Sequence, residues 1–220
     1  MRKLPNFDDA FTYENNFYLT CDDSRIGKML THYELFKMIK NLPGDIVECG
    51  VFAGVSLVRF VSFRNLLENL NSRKIIGFDT FDKFPPTTFD QDKIHREKFL
   101  NDAGSDSISK NQLLEVLENK NINHMVELVE GDITKTVPEY VLNHPEIKIS
   151  LLNLDVDIFE PSVTILENLY PKVVSGGIII LDDYGKFPGE TKAVDDFLKN
   201  KNIKILKFPF NRTPCYFVKP

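Results

Sequence analysis

The run Leu151-Leu152-Asn153-Leu154-Asp155-Val156-Asp157 and its counterpart Ile178-Ile179-Ile180-Leu181-Asp182-Asp183-Tyr184 decide the fold class. Each reads as an apolar strand that stops at acids, with the helical stretch Glu160 to Tyr170 between them. In a parallel α/β sheet the carboxyl ends of the strands open onto the ligand crevice, so acids placed there face a site rather than bulk solvent. A single aspartate in that position is most simply a helix N-cap, favoured by its match to the helix dipole. Two adjacent strand ends, one with a doubled aspartate, point instead to converging carboxylates.

The 220 residues suffice for one well-buried domain over 1–220, with an amino-terminal arm and helix over 1–43 and a candidate lid over 82–110. A composition of 42% hydrophobic and 27% charged residues is that of a globular protein rather than a disordered or membrane one. No apolar run approaches the ~20 residues of a transmembrane helix, and Met1-Arg2-Lys3-Leu4-Pro5 lacks a signal-peptide core, so a cytoplasmic protein without membrane contact is expected. Cys21, Cys49 and Cys215 form no CxxC pair and imply neither a disulfide framework nor a zinc site. The net charge of −5 argues against nucleic acid and in favour of a small-molecule ligand.

Residues 1–24 scatter Phe7, Phe11, Tyr13, Phe17 and Tyr18 among polar positions without a clean period, as expected of an arm that docks its aromatics. Helical spacing begins after a candidate cap at Ser24 and ends at Pro43-Gly44. Arg25, near that helix start, reads as solvated. Asp45 to Val58 then reads as strand, glycine turn and helix, continuing to about Leu70. There Gly50 would admit a ligand to the backbone and Gly54 would let the helix pack closely on the strand. The turn completes neither GxGxxG nor GxxxxGK[ST], and Glu48 would repel a pyrophosphate, so a dinucleotide is disfavoured.

The second strand, Lys74 to Phe78, ends at Asp79, where an acid commonly accepts ribose hydroxyls. The long polar connection that follows is expected to be a lid with a short helix over 92–100. Its His95 reads as a bystander on an exposed segment. A helix over 111–119 and the strand Val126 to Glu130 lead to Gly131-Asp132. Asp132 fits either recognition of a planar base or the cap of the next helix. A short helix is expected after Pro138 and another over 189–200. Ile203 to Phe208 and Cys215 to Val218 flank Asn211-Arg212-Thr213-Pro214 as a hairpin.

An acidic first turn, an acid after the second strand and Gly-Asp after the third suggest a nucleoside carrying a positive group, which S-adenosylmethionine fits. Val47-Glu48-Cys49-Gly50-Val51, Phe78-Asp79-Thr80-Phe81 with Phe84-Pro85, Leu154-Asp155-x-Asp157-x-x-Glu160, Asn168-Leu169-Tyr170-Pro171-Lys172, Gly176-Gly177 and Asp182-Asp183-Tyr184-Gly185 resemble the macrocin O-methyltransferase (TylF-like) family. The resemblance covers residues 44–200. It implies an α/β, Rossmann-like class I methyltransferase fold, with a seven-stranded, mostly parallel sheet, an antiparallel last strand and helices on both faces. It also implies S-adenosylmethionine as methyl donor, Mg2+, a hydroxyl acceptor of the sugar, sugar-nucleotide or glycoside type, and a homo-oligomer.

Carried over from the family, Glu48, Gly50 and Ser56 surround the methionine part, Asp79 and Thr80 the ribose, and Gly131 and Asp132 the adenine. Asp155, Asp182 and Asp183 are the implied metal ligands, and Asp155 the implied catalytic base, while Asp157 supports the loop or substrate. Asn153 and Ala53 stand where the family commonly has Arg, Val156 where it has Gly and Phe159 where it has Tyr, all on the acceptor side. Two other readings of the residues are a nicotinamide-dependent oxidoreductase and a non-catalytic nucleoside-binding protein.

Overall fold

The computed structural model of the chain describes residues 2–220. Its elements are α1 (Ala10–Thr20), α2 (Asp23–Ile39), β1 (Asp45–Cys49), α3 (Val55–Leu67), β2 (Ile75–Asp79), α4 (Asp90–Ala103), α5 (Lys110–Asn119), β3 (Val126–Glu130), α6 (Ile133–Asn143), β4 (Ile149–Leu154), α7 (Phe159–Asn168), β5 (Val173–Leu181), α8 (Pro188–Leu198) and β6 (Cys215–Val218). The strands form one sheet in the order β3-β2-β1-β4-β5-β6, parallel except for the antiparallel pairing of β6 with β5. The chain order switches direction between β1 and β4, which opens a crevice at their carboxyl ends.

Alternation along the strands supplies both faces. Ile46, Leu151, Ile178 and Ile180 pack with α2, α3 and α5, whereas Val47, Leu152, Leu154, Ile179 and Leu181 pack with α6, α7 and α8. Burial on both sides is why these strands read as unbroken apolar runs. Arg64 ties the helix-bearing edge together from inside the core. Fully buried, its guanidinium donates to the carbonyls of Arg73 at 3.1 Å, His124 at 2.8 Å and Met125 at 3.3 Å.

The central crossing depends on a close backbone approach. The Asp155 amide donates to the Cys49 carbonyl at 2.9 Å, and a Cβ on Gly50 would overlap the Asp155 carbonyl oxygen. The neighbouring strand end therefore requires a glycine at position 50. Gly54 makes room for the Leu113 side chain of α5, not for the β1 backbone, and the close packing of α3 on the sheet occurs at Gly77 against Leu57.

The described residues form six strands rather than the expected seven. The first arm of the expected hairpin is reduced to one bridge, in which Leu206 and Tyr216 exchange amide hydrogen bonds at 2.7 and 2.9 Å. The next hydrogen-bonded pair in that register would fall at Phe208 and Pro214, and Pro214 has no N–H to give. The amino-terminal arm is helical, and Phe11, Tyr13, Phe17 and Tyr18 are exposed rather than docked. Asp22, not Ser24, caps α2, accepting from the Ser24 amide. Pro138 lies inside α6 instead of preceding a helix, because the Asp132 cap starts the helix earlier. The lid does contain a helix, α4.

Gly50→Ala is expected to destabilise the fold by roughly 2–5 kcal/mol, from the positive φ and forced separation of β1 and β4. Urea denaturation followed by circular dichroism would measure it.

Candidate active site

Asp155 follows β4 while Asp182 and Asp183 follow β5, and one carboxylate oxygen from each lies within 4.8 Å of the others. The parallel register that pairs Leu154 with Leu181 brings these ends level. From the opposite side, α2 contributes Lys28, whose ammonium donates to Asp182 Oδ2 at 2.6 Å and to Asp155 Oδ2 at 3.4 Å. Asp182 Oδ1 is buried without a partner.

Burial, and next to it the charge of Asp182, pushes the Asp155 carboxyl well above the ordinary range. Burial also acts to raise Asp182, but the Lys28 ammonium outweighs it and holds Asp182 below its usual value. Behind this front row, Asp157 adopts a φ of 64° and hydrogen-bonds the Asp183 carboxylate. The buried Glu190 accepts from the Asp183 amide at 3.0 Å, fixing the turn that presents the pair. Asp157 is thus placed to brace Asp183.

A second polar cluster lies on the α2/α3 face of the sheet. Glu48 and Asn153 occupy the same alternation phase as Ile46 and Leu151, so both point to that face. Glu48 is fully buried, accepts from the Ser56 hydroxyl and from Asn153 Nδ2 at 3.2 Å, and keeps Oε2 unpartnered. Burial drives its pKa up to about 7, against the opposing effects of Ser56 and Lys28. His32 stacks on Phe60 and faces Arg59, with Nδ1 3.2 Å from Arg59 Nη1. Burial lowers its pKa to about 3, so the imidazole is neutral; it accepts the Arg59 proton at Nδ1.

These residues border a cavity of about 1140 Å3. Gly50, Ser56, Asp79, Thr80, Asp132, Asp155, Asp182 and Asp183 line it; Glu48 and Gly131 lie behind its wall. Asp79 braces the glycine turn, since its Oδ2 accepts from the amides of Val51 at 2.7 Å and Phe52 at 3.0 Å. Its Oδ1 accepts from the Phe81 amide at 2.7 Å and, more distantly, from the hydroxyls of Thr80 at 3.3 Å and Ser107 at 3.4 Å. Those two long contacts are the ones a ligand hydroxyl can replace. Asp132 realises the cap reading, accepting from the Thr134 amide at 3.0 Å, while still lining the cavity.

The first half of the lid is pinned by two buried or half-buried acids. Glu160 accepts from the Thr87 hydroxyl, the Thr88 amide and hydroxyl, and the Phe89 amide. Asp92 on α4 is fully buried and accepts from the amides of Phe159 at 2.9 Å and Gly189 at 2.7 Å, capping α7 and α8 together. His95 sits on the exposed side of α4 beside Phe187, away from the cavity wall.

Residues 24–218 match the macrocin-O-methyltransferase (TylF) family. The chain belongs to this family. Among relatives, it is 29% identical over 181 residues to demethyldecarbamoylnovobiocin O-methyltransferase of Streptomyces niveus, covering 80% of this chain and 66% of that protein. It is 28% identical over 145 residues to 8-demethyl-8-(2,3-dimethoxy-alpha-L-rhamnosyl)-tetracenomycin-C 4'-O-methyltransferase of Streptomyces olivaceus, covering 65% and 54%. The chain therefore spans just over half to about two thirds of the length of these curated relatives. Among solved structures, the calicheamicin methyltransferase CalS11 superposes with a TM-score of 0.80 at 29% identity, covering 93% of this chain and 83% of that one. Its apo form, described as a TDP-rhamnose 3'-O-methyltransferase, superposes at 0.72 with 27% identity, covering 95% and 86%.

The TylF match confirms the family and the α/β methyltransferase fold read from the sequence, with the strand count corrected to six. Sequence reading missed Lys28, His32 and Arg59, although Arg25, Lys28 and His32 form a basic stripe at helical spacing on α2. Because the Glu48 carboxyl titrates higher folded than unfolded, the folded chain binds the extra proton between the two values. Stability from this group is therefore lost as pH rises from 4.5 to about 7. Glu48→Gln is expected to flatten that slope in urea melts run from about pH 4 to about pH 8.

Proposed function

We propose that the chain transfers a methyl group from S-adenosylmethionine to a hydroxyl of a sugar or sugar-bearing metabolite, with a divalent cation, Mg2+, held by Asp155, Asp182 and Asp183. The observation that carries this reading is the convergence of three carboxylates at the wall of a cavity that also contains the glycine turn and Asp79. The donor set is all oxygen, as Mg2+ prefers, and the unpartnered Asp182 Oδ1 leaves a further lone pair for an ion. The relatives support the acceptor class. The S. olivaceus protein is named for a rhamnosyl substrate and CalS11 for TDP-rhamnose.

A divalent ion held by these acids would supply positive charge that acidifies a nearby hydroxyl and neutralises the cluster. The remaining work falls to the chain's own residues. Asp155 is the base, since it stands at the cavity wall between the acid pair and the glycine turn and takes the hydroxyl proton as the oxygen–methyl bond forms and the donor's methyl–sulfur bond breaks, its electron pair staying on sulfur in S-adenosylhomocysteine. Asp182 and Asp183 hold compensating negative charge; Glu190 and Asp157 keep Asp183 in place, and the Leu154 carbonyl accepts from the Asp182 amide. Ser56 and the glycine turn line the donor half, and Asp79 offers Oδ1 to ribose hydroxyls in place of Thr80 and Ser107. Asp132 and Thr134 line the adenine end. The lid, pinned by Glu160 and Asp92, covers the acceptor side and excludes water that would compete with the acceptor.

Isothermal titration with S-adenosylhomocysteine tests the donor site, and absence of binding would overturn the reading. Methyl transfer to TDP-rhamnose and simple rhamnosides, followed by mass spectrometry, tests the acceptor class. Asp155→Asn is expected to cut the rate by about 10²–10⁴-fold. Asp182→Ala and Asp183→Ala are expected to lower activity by ~10-fold to ~100-fold or more while S-adenosylhomocysteine affinity stays near native. Equal loss of both would contradict this division of labour, and intact donor binding without methylation of any acceptor would favour a non-catalytic nucleoside-binding protein.

A further inference from the structure

The acid cluster carries a cation of its own. Lys28 reaches across from α2 to both Asp182, at 2.6 Å, and Asp155, at 3.4 Å, and its side chain is 25% exposed toward the cavity. The base of this side chain is fixed. The adjacent Gly27 is buried, and a Cβ there would lie 3.3 Å from the Asn211 side chain, so α2 packs closely on the 209–211 segment beside the lysine. The ammonium end, by contrast, rides on a flexible four-carbon stem and can swing into the cavity.

Three carboxylates this close repel one another strongly unless a cation lies among them. Lys28 supplies that charge to two of the three, and Lys186 lies 3.6 Å from the third, Asp183. The oxygens that face Lys28, Asp155 Oδ2 and Asp182 Oδ2, belong to the carboxylates assigned above to the metal. An ammonium and a divalent ion sharing those oxygens would face each other a few ångströms apart, where their repulsion is large.

We propose that Lys28 is the resident counter-ion of this site, holding Asp155 and Asp182 together before metal binds, and that a divalent cation enters by displacing its ammonium into the cavity. The inference rests on the metal assignment made above. Lys28 then sets how readily the metal binds, and metal binding moves a positive charge toward the acceptor space.

Mg2+ and Mn2+ titrations by calorimetry on the native chain, Lys28→Met, Lys28→Arg and Asp182→Ala test it. Lys28→Met is expected to bind the ions about 10-fold to 100-fold more tightly than native. It is also expected to melt at a lower temperature in metal-free buffer and to gain more on adding metal, whereas Lys28→Arg, which keeps the charge, should stay near native on all three. Unchanged or weaker metal binding by Lys28→Met, with native binding abolished by Asp182→Ala, overturns the role of Lys28 alone. No metal binding by native or Lys28→Met overturns the metal assignment and this inference together. A measurement on the native chain covers the case in which Lys28→Met fails to fold. Reductive methylation of Lys28, read by peptide mass spectrometry, should speed up on adding Mg2+, and an unchanged or slower rate overturns the proposal.

Discussion

The site depends on one close contact between backbones. The carbonyl of Asp155 occupies the place where a side chain on residue 50 would begin, and the Asp155 amide bonds the carbonyl of Cys49 at 2.9 Å. This contact closes the end of β4 onto the end of β1. It puts Asp155 beside the glycine turn, and the register with β5 then brings Asp182 and Asp183 level with it. A larger residue at position 50 would push the end of β4, and Asp155 with it, away from the glycine turn.

Around that contact the molecule arranges charge in two layers. The front layer is the carboxylate trio with Lys28 and Lys186 against it. The rear layer, Glu48 with Ser56 and Asn153 beside the neutral His32 and Arg59, is buried on the α2/α3 face. Burial drives Glu48 upward, while the ammonium of Lys28 keeps Asp182 low.

The lid follows the same logic of buried acids satisfied by backbone. Asp92 and Glu160 spend their oxygens on amides and hydroxyls at helix starts and in the lid's first turn, rather than on cations. The lid is consequently attached to the very helices that follow the acid-bearing strand ends, α7 and α8. Of the positions where the chain departs from its family, Phe159 serves this attachment by giving its amide to Asp92 and stacking on Phe89. Asn153 has a different task, as a donor to Glu48.

The sequence by itself determined the β-α order, the acids at the strand ends, the lid helix and the family, because each is written in local periodicity or in contiguous blocks. Asp155, Asp182 and Asp183 were legible since a strand that stops at acids exposes them at one edge of a parallel sheet. Only the tertiary structure decided what meets those acids. Lys28 stands 127 residues from Asp155 along the chain, and Asp92 caps helices 67 and 97 residues away, so no local pattern pairs them. It also decided that a neighbouring carbonyl requires the glycine at position 50, and that Pro214 ends the last ladder at one bridge. Local sequence specifies which side chains a segment offers, whereas partners across the sheet are chosen by register and helix placement, which depend on the packing of the whole core.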